Sequence, residues 1–268
     1  SIREWLSADC SEKGGAETVW LACELYDALP NSVREKITCV PMTTKKMSGK
    51  KTAKTGARGD GVDWSEMFTR THLKKISNAL LEASYTHPRM HSAWEMLIRE
   101  APGAGGTIPL WEVTCEEGLF VSGSHQRRFL GFRVFDALLN CAEVNEIPGL
   151  FSDNFVKCLL NNLSQPDNYL HECALDCLAR IIKFASNKKT SADKKIAVIA
   201  ALQRQGPTRF DQITKTNAVQ DLVKSLDESE VAQYLDSLFE IVTAAPQRDT
   251  DIVGTAEELE SALANGAG

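Results

Sequence analysis

An all-α fold is the class this sequence predicts, built of stacked antiparallel helix pairs of the armadillo or HEAT type. Three observations carry it. Apolar residues recur at three- and four-residue spacing along most of the chain, alternating runs of useful strand length are missing, and short Pro-, Gly- or Asp-containing turns separate the periodic segments. A period near 3.6 places one apolar stripe along a helix, whereas a half-buried strand needs a period of two. No sequence repeat of fixed period accompanies the pattern, so the stacking is read from short turns between helices rather than from self-similarity.

The elements follow in order. Between Ala16 and Leu29 the spacing of Val19, Trp20, Cys23, Tyr26 and Leu29 predicts a helix closed by Pro30. Asp63 and Glu66 form a D-x-x-E capping start to a helix over 63–84, with Trp64, Phe68, Ile76 and Leu80 on one face. Met90, Trp94, Leu97 and Ile98 make the next stripe, and Pro102 to Gly106 a loop. Ile108 to Glu117 reads as a helix carrying Trp111 and Cys115. Phe129, Phe132, Phe135, Leu138, Leu139 and Ala142 line a strong face after it.

Phe151, Phe155, Leu159 and Leu163 then repeat at four-residue intervals, and Pro166 suits a first helical turn. Leu170, Ala174, Cys177, Leu178 and Ile181 form the inner face of that next helix. Ser191 can cap a helix carrying Ile196, Ile199 and Leu202. Asp227 with Glu230 opens another, bearing Val231, Tyr234, Leu235, Leu238 and Val242. The expected organisation is an N-terminal helical pair over 1–41, a basic insertion over 42–62, a helical domain over 63–246 and a C-terminal helix and tail over 247–268.

Charge separates the insertion from the rest. Lys45, Lys46, Lys50, Lys51, Lys54 and Arg58 carry six positive charges with no acid between them. Without those six of 30 basic residues, 24 face 36 acids, so the body is acidic. Six close cations suit nucleic-acid phosphates. The segment lacks the apolar residues that offset ordering entropy, which predicts a mobile loop, and it lacks aromatics for base stacking. Arg127, Arg128 and Arg133 form a second candidate surface for an acidic partner or RNA backbone, around the Phe129 and Phe132 stripe.

Catalytic and cofactor chemistry has little footing. Cys173 and Cys177 share a helix face, but His171 lies well away around the axis, so metal ligation is not expected. Gly49-Lys50-Lys51-Thr52 matches only the tail of a phosphate-binding loop. The eight cysteines sit mostly inside apolar helical patterns, as buried reduced thiols do. Five tryptophans at apolar periodic positions read as core. No run of 18 apolar residues occurs, so no membrane span is expected. The start, Ser1-Ile2-Arg3-Glu4-Trp5, has no initiator Met, which points to a portion of a longer chain. No cofactor, metal or small-molecule substrate is expected.

Five motifs in a fixed order carry a family resemblance. They are H-P-R-M-H-S-A-W at 87–94, S-H-Q-R-R-F-L-G-F-R-V-F at 124–135, L-F-S-D-N-F at 150–155, N-N-L-S-Q-P-D-N-Y-L-H-E-C-A at 161–174 and R-F-D-Q-I-T-K-T at 209–216. Together they resemble the DNA polymerase V / Myb-binding protein 1A family over roughly residues 87–226. The resemblance implies an armadillo-like nucleolar protein of the nucleus, a scaffold in ribosome biogenesis. Its implied partners are precursor ribosomal particles, ribosomal RNA and assembly proteins. An alternative implication is transcription regulation through ribosomal DNA or DNA-bound factors. The family name also implies polymerase activity, but the acids here are spread over helix surfaces without the paired-metal arrangement such chemistry needs. The R-F-D-Q-I-T-K-T element is expected to be a structured connector, with Asp211 and Thr214 bonding nearby backbone.

Overall fold

A computed structural model of the chain describes residues 15–25, 40–41, 62–83, 89–204 and 208–244. Among them every regular element is helical, and the all-α expectation holds. The first are α1 (Ala16–Glu24), α2 (Trp64–Met67), α3 (Arg70–Glu82), α4 (Ser92–Glu100), α5 (Thr107–Leu110) and a π-helix (Trp111–Leu119). Then come α6 (His125–Cys141), α7 (Ile147–Leu150), α8 (Asp153–Ser164), α9 (His171–Ala185) and α10 (Ala192–Leu202). The short α11 (Arg209–Thr214) and α12 (Ala218–Lys224) precede α13 (Glu228–Ala244). The chain divides into two compact units, Ser1–Ser225 and Leu226–Gly268.

In the first unit helices pack on neighbours close in chain order. α3 lies on the π-helix, α1 on α3 and α4, α6 on the π-helix, α4 and α9, and α8 on α9 and α11. The centre is aromatic. Trp111, Phe120, Phe132, Phe135, Phe151 and Phe155 meet with ring centroids 4.1 to 6.0 Å apart, mostly tilted or edge-to-face, the arrangement ring quadrupoles prefer. These six come from four segments of the chain, so the cluster ties the π-helix, α6 and α8 together. Trp94 is the second buried anchor, its Nε1–H donating to the Leu80 carbonyl at 3.1 Å.

Several expectations need correction in detail. The helix expected over 63–84 is two helices. Asp63 accepts from the Glu66 amide at 3.1 Å to start α2, and Thr69 accepts from the His72 amide to start α3. The helix expected at 108–117 turns from α to π at Trp111, and the Phe120 amide donates five residues back to Cys115. Phe151 precedes α8 instead of lying within it, although it is buried as expected. Pro166 stands in a turn; α9 begins at His171, because Asn168 and His171 bond to the end of α8. The loop at 102–106 contains a 3-10 turn, with Gly105 left-handed at φ 64°. Of the tryptophans, Trp94 and Trp111 are buried, Trp20 and Trp64 only half-buried, and Trp5 lies outside the described residues.

In the second unit the Asp227 and Glu230 capping box forms in full. The Glu230 amide donates to Asp227 Oδ1 at 2.9 Å, and the Asp227 amide to Glu230 Oε2 at 3.0 Å. Tyr234 is buried, but Val231 and Leu235 are exposed where the sequence predicts a buried face. An apolar stripe is buried only where another part of the chain covers it, and on α13 the covered side carries Glu230 and Tyr234.

Gly131 inverts an ordinary rule. Glycine inside a helix usually costs up to about 1 kcal/mol relative to alanine. A Cβ at Gly131 would lie 2.6 to 3.0 Å from the Phe120 ring, which is itself wedged among Trp111, Phe132 and Phe155. The ring cannot yield, so strain outweighs propensity. Gly131→Ala is expected to destabilise the fold by about 1–3 kcal/mol. Urea unfolding would measure it, and a stabilised variant would show that the aromatic cluster is loosely packed.

Candidate functional site

Acidic and polar residues in and around the quoted motifs are first of all structural. Glu116, on the π-helix, faces the start of α8. It accepts from the Ser152 hydroxyl, from the Asn154 amide at 2.8 Å and from the Phe155 amide at 3.3 Å. Trp111 Nε1–H donates to the same Ser152 hydroxyl oxygen at 2.9 Å. A carboxylate from another helix therefore caps α8, whose own N-cap residue, Ser152, makes no side-chain cap bond. Glu112 and Glu117 pair with Arg70 of α3, and Arg180 bridges Asp176 and Asp136 at 2.9 Å each. The guanidinium of Arg180 is held above its ordinary pKa, chiefly by its bond to Asp176.

Asp211 plays the same part in R-F-D-Q-I-T-K-T. Its carboxylate is buried and accepts from the amides of Val219 and Gln220, both at 3.1 Å, at the start of α12. Lys215 takes a left-handed conformation (φ 55°), which lets the chain reverse so that residues 219 and 220 return to Asp211. Thr214 donates to the Phe210 carbonyl at 2.9 Å and meets the Thr216 hydroxyl at 2.8 Å. The expected connector is there, and it is a folding element.

The described cysteines are likewise buried or half-buried groups. Burial pushes Cys115 and Cys173 up to about 12 and Cys158 up to about 11, and raises Cys177 well above its ordinary value. Arg133 and Arg180 favour the Cys173 thiolate, but desolvation wins. A thiol that stays protonated at neutral pH is a poor nucleophile. His171 turns to another use, its Nδ1 meeting the Asn162 carbonyl at 2.8 Å. A carbonyl only accepts, so Nδ1 carries the proton.

That bond helps build a surface feature that draws two motifs together. The last carbonyls of α8 lack partners within their own helix. Asn168 Nδ2–H donates to the Asn161 carbonyl at 2.7 Å, and His171 takes Asn162. Buried Leu163 and Leu170 flank the turn on the inside. Held at both ends, the turn projects Tyr169 outward, and 81% of it is exposed. Tyr169 meets the ring of His125, the first residue of α6, with centroids 4.7 Å apart and planes 32° apart.

This ring pair divides two grooves. One, about 270 Å³, is lined by Arg128, Lys157, Asn154, Asn161, Asn162 and Asn168 besides the rings, and by no acid. The other, about 800 Å³, carries Phe129, Gln126 and Cys173 with the carboxylates of Glu172 and Asp176. Arg128 is held in place by its Nε–H bond to the Ser122 carbonyl at 2.9 Å. Among the described residues no carboxylate pairs with Arg128 or Lys157.

Of the described cations singled out from the sequence, only Arg128 lines either groove. Arg127 and Arg133 are half-buried elsewhere on α6. Lys45, Lys46, Lys50, Lys51, Lys54 and Arg58 lie outside the described residues. Tyr169, His125 and Lys157 were not legible as site residues, since nothing in a Q-P-D-N-Y-L-H string says that its tyrosine points to solvent. A usable signal was the polar spacing, with Asn168 and His171 flanking Tyr169.

A family model described as DNA polymerase phi matches residues 48–265. The chain belongs to the DNA polymerase phi family. Two longer proteins match part of the chain. The rDNA transcriptional regulator pol5 of Schizosaccharomyces pombe is 30% identical over 151 residues, covering 56% of this chain and 15% of the relative. The rDNA transcriptional regulator POL5 of Saccharomyces cerevisiae is 28% identical over 134 residues, covering 48% of this chain and 13% of the relative. The chain thus matches about a seventh of each relative's length. No solved structure matches it. The motifs of this DNA polymerase phi family member now have physical assignments: L-F-S-D-N-F joins the aromatic core to the α8 cap, and R-F-D-Q-I-T-K-T caps α12.

Proposed function

We propose that this chain is a non-catalytic, armadillo-like binding platform of a nucleolar protein that associates with the transcripts of ribosomal RNA genes and their precursor particles. The observation that carries the reading is the use of its acids. Glu116 and Asp211 cap helices, while Glu112, Glu117, Asp136 and Asp176 are engaged by arginines. Polymerase chemistry needs carboxylates gathered around two metals. Among the described residues no group of three or more His, Cys, Asp or Glu converges to hold one. What the fold offers instead is a long series of helix surfaces and one ring-flanked polar groove.

Binding to ribosomal DNA or to DNA-bound factors is the second reading, favoured by the names of the two yeast relatives. The net charge of −6 opposes extensive direct wrapping of a duplex by this portion. Purification of the tagged protein from nuclei at mild salt separates the two. Precursor ribosomal RNA should co-purify, and ribonuclease should release the protein from its nuclear site while deoxyribonuclease leaves it. Recovery with ribosomal DNA alone, sensitive only to deoxyribonuclease, would favour the second reading and sink the first.

A further inference from the structure

We infer that the groove between α6, α8 and the 165–170 turn is a single-stranded RNA site, in which one base stacks on Tyr169 and the adjoining phosphate sits at Arg128 and Lys157. The inference rests on the platform reading and names where that platform touches RNA.

Three features point there together. The first is the ring pair. An 81% exposed tyrosine contributes little to a core, yet the turn that presents it is fastened by Asn168 and His171 to the end of α8. His125 supports one side of the ring at 4.7 Å, and the exposure leaves room for a further planar group. Splayed bases stack on aromatic side chains in this way.

The second feature is charge. The chain is acidic overall, but the groove of about 270 Å³ holds Arg128 and Lys157 without an acid in its lining. Arg128 keeps its Nε–H on the Ser122 carbonyl, so the remaining guanidinium donors are the ones turned to a ligand. Four asparagines line the same space. Their side-chain amides are mostly tied to backbone, Asn154 to Glu116, Asn162 to Cys158 and Asn168 to Asn161, which makes the wall rigid.

The third feature is the opposite wall. Across the ring pair, Glu172 lines the larger groove beside Asp176, whose carboxylate already pairs with Arg180. A carboxylate accepts but does not donate, so it suits bases presenting amino or imino hydrogens and repels a second phosphate. Cations on one side and carboxylates on the other set a direction: backbone toward α8, base edge toward α9. A duplex keeps its bases stacked inside and has nothing to place on Tyr169, so single strands are selected. Of these, RNA is the strand produced where the two yeast relatives act, and its 2′-hydroxyl can both donate to and accept from the amide-lined wall.

The experiment uses the full chain with Lys45, Lys46, Lys50, Lys51, Lys54 and Arg58 changed to Gln, so that the basic segment cannot mask the groove. Fluorescence anisotropy with a labelled single-stranded RNA of roughly 12 nucleotides should show binding. Tyr169→Ala should weaken it on the order of tenfold, while Tyr169→Phe restores it, since stacking needs the ring and not the hydroxyl. Lys157→Gln should weaken binding less and lower the slope of log affinity against log salt by about 0.7. Thermal melting should be unchanged in Tyr169→Ala, because the ring is outside the core. A single-stranded DNA of the same sequence and a DNA duplex should both bind more weakly. Undetectable RNA binding, equal affinity of Tyr169→Ala, or equal affinity for either DNA would each overturn the site as assigned. The platform reading is judged separately by co-purification, and it survives if precursor RNA is recovered while Tyr169→Ala binds normally.

Discussion

Trp111→Ala is expected to destabilise the first unit by about 3–5 kcal/mol, the range for removing a fully buried large aromatic. The side chain is 0% exposed. Its ring touches Phe120, Phe135 and Phe155 at centroid distances of 5.6 to 5.7 Å. Those partners come from after the π-helix, from α6 and from α8, so the cavity left behind would be walled by three segments that cannot all collapse into it. The Ser152 hydroxyl would also lose the indole N–H that donates to it. Trp111→Phe separates the two effects. It keeps most of the ring volume and loses the polar bond, worth about 1 kcal/mol net. Urea unfolding of both variants tests the assignment. Equal losses from Ala and Phe would mean that the hydrogen bond, and not the packing, holds this junction.

Asp211→Ala is the second large effect, at about 2–3 kcal/mol. The carboxylate is only 6% exposed, and its removal leaves the Val219 and Gln220 amides without their acceptor, each unmet buried donor costing about 1–3 kcal/mol. Gln220 is partly open to water, which recovers some of its share. Asp211→Asn should lie between wild type and Ala, because an amide oxygen can accept from one backbone N–H while the NH₂ group meets the other as donor against donor. Hydrogen exchange gives a local readout. Faster exchange confined to residues 219–222 in Asp211→Ala is the expected pattern. Unchanged protection there would show that α12 is held by its apolar face alone.

The two variants mark different depths of legibility. Trp111 could be assigned to the core from its place in an apolar period, since a 3.6-residue pattern states which face of a helix is buried. That logic also located α4, α6, the body of α8 and α9. It failed where one helix end is satisfied by a distant residue. Nothing near Ser152 in the sequence announces that Glu116 supplies its cap, 36 positions away. Helix breaks at Thr69 and the change to π geometry at Trp111 were hidden for a related reason: both preserve the apolar spacing while altering the hydrogen-bond ladder.

The candidate site shows the same limit more sharply. Proximity in sequence groups Arg127, Arg128 and Arg133. On a helix, neighbours in sequence face different ways, so only Arg128 reaches the groove. Lys157 joins it from another helix, and Tyr169 from a turn whose path is dictated by two side chains bonding to helix-end carbonyls. Asp211 was the exception, because a short polar side chain bonds to nearby backbone and that preference is local.

By itself the sequence determined the helical class, the buried faces of the central helices from α4 to α9, and the order of motifs that carries the family. Those properties follow from periodicity and local capping, which act over one or two turns. Tertiary structure alone decided which acids are spent on caps, which cation stands free of acids, and which aromatic is left outside. These depend on distant segments meeting, and a carboxylate or a ring takes its role from the donor or the face that the rest of the chain brings to it.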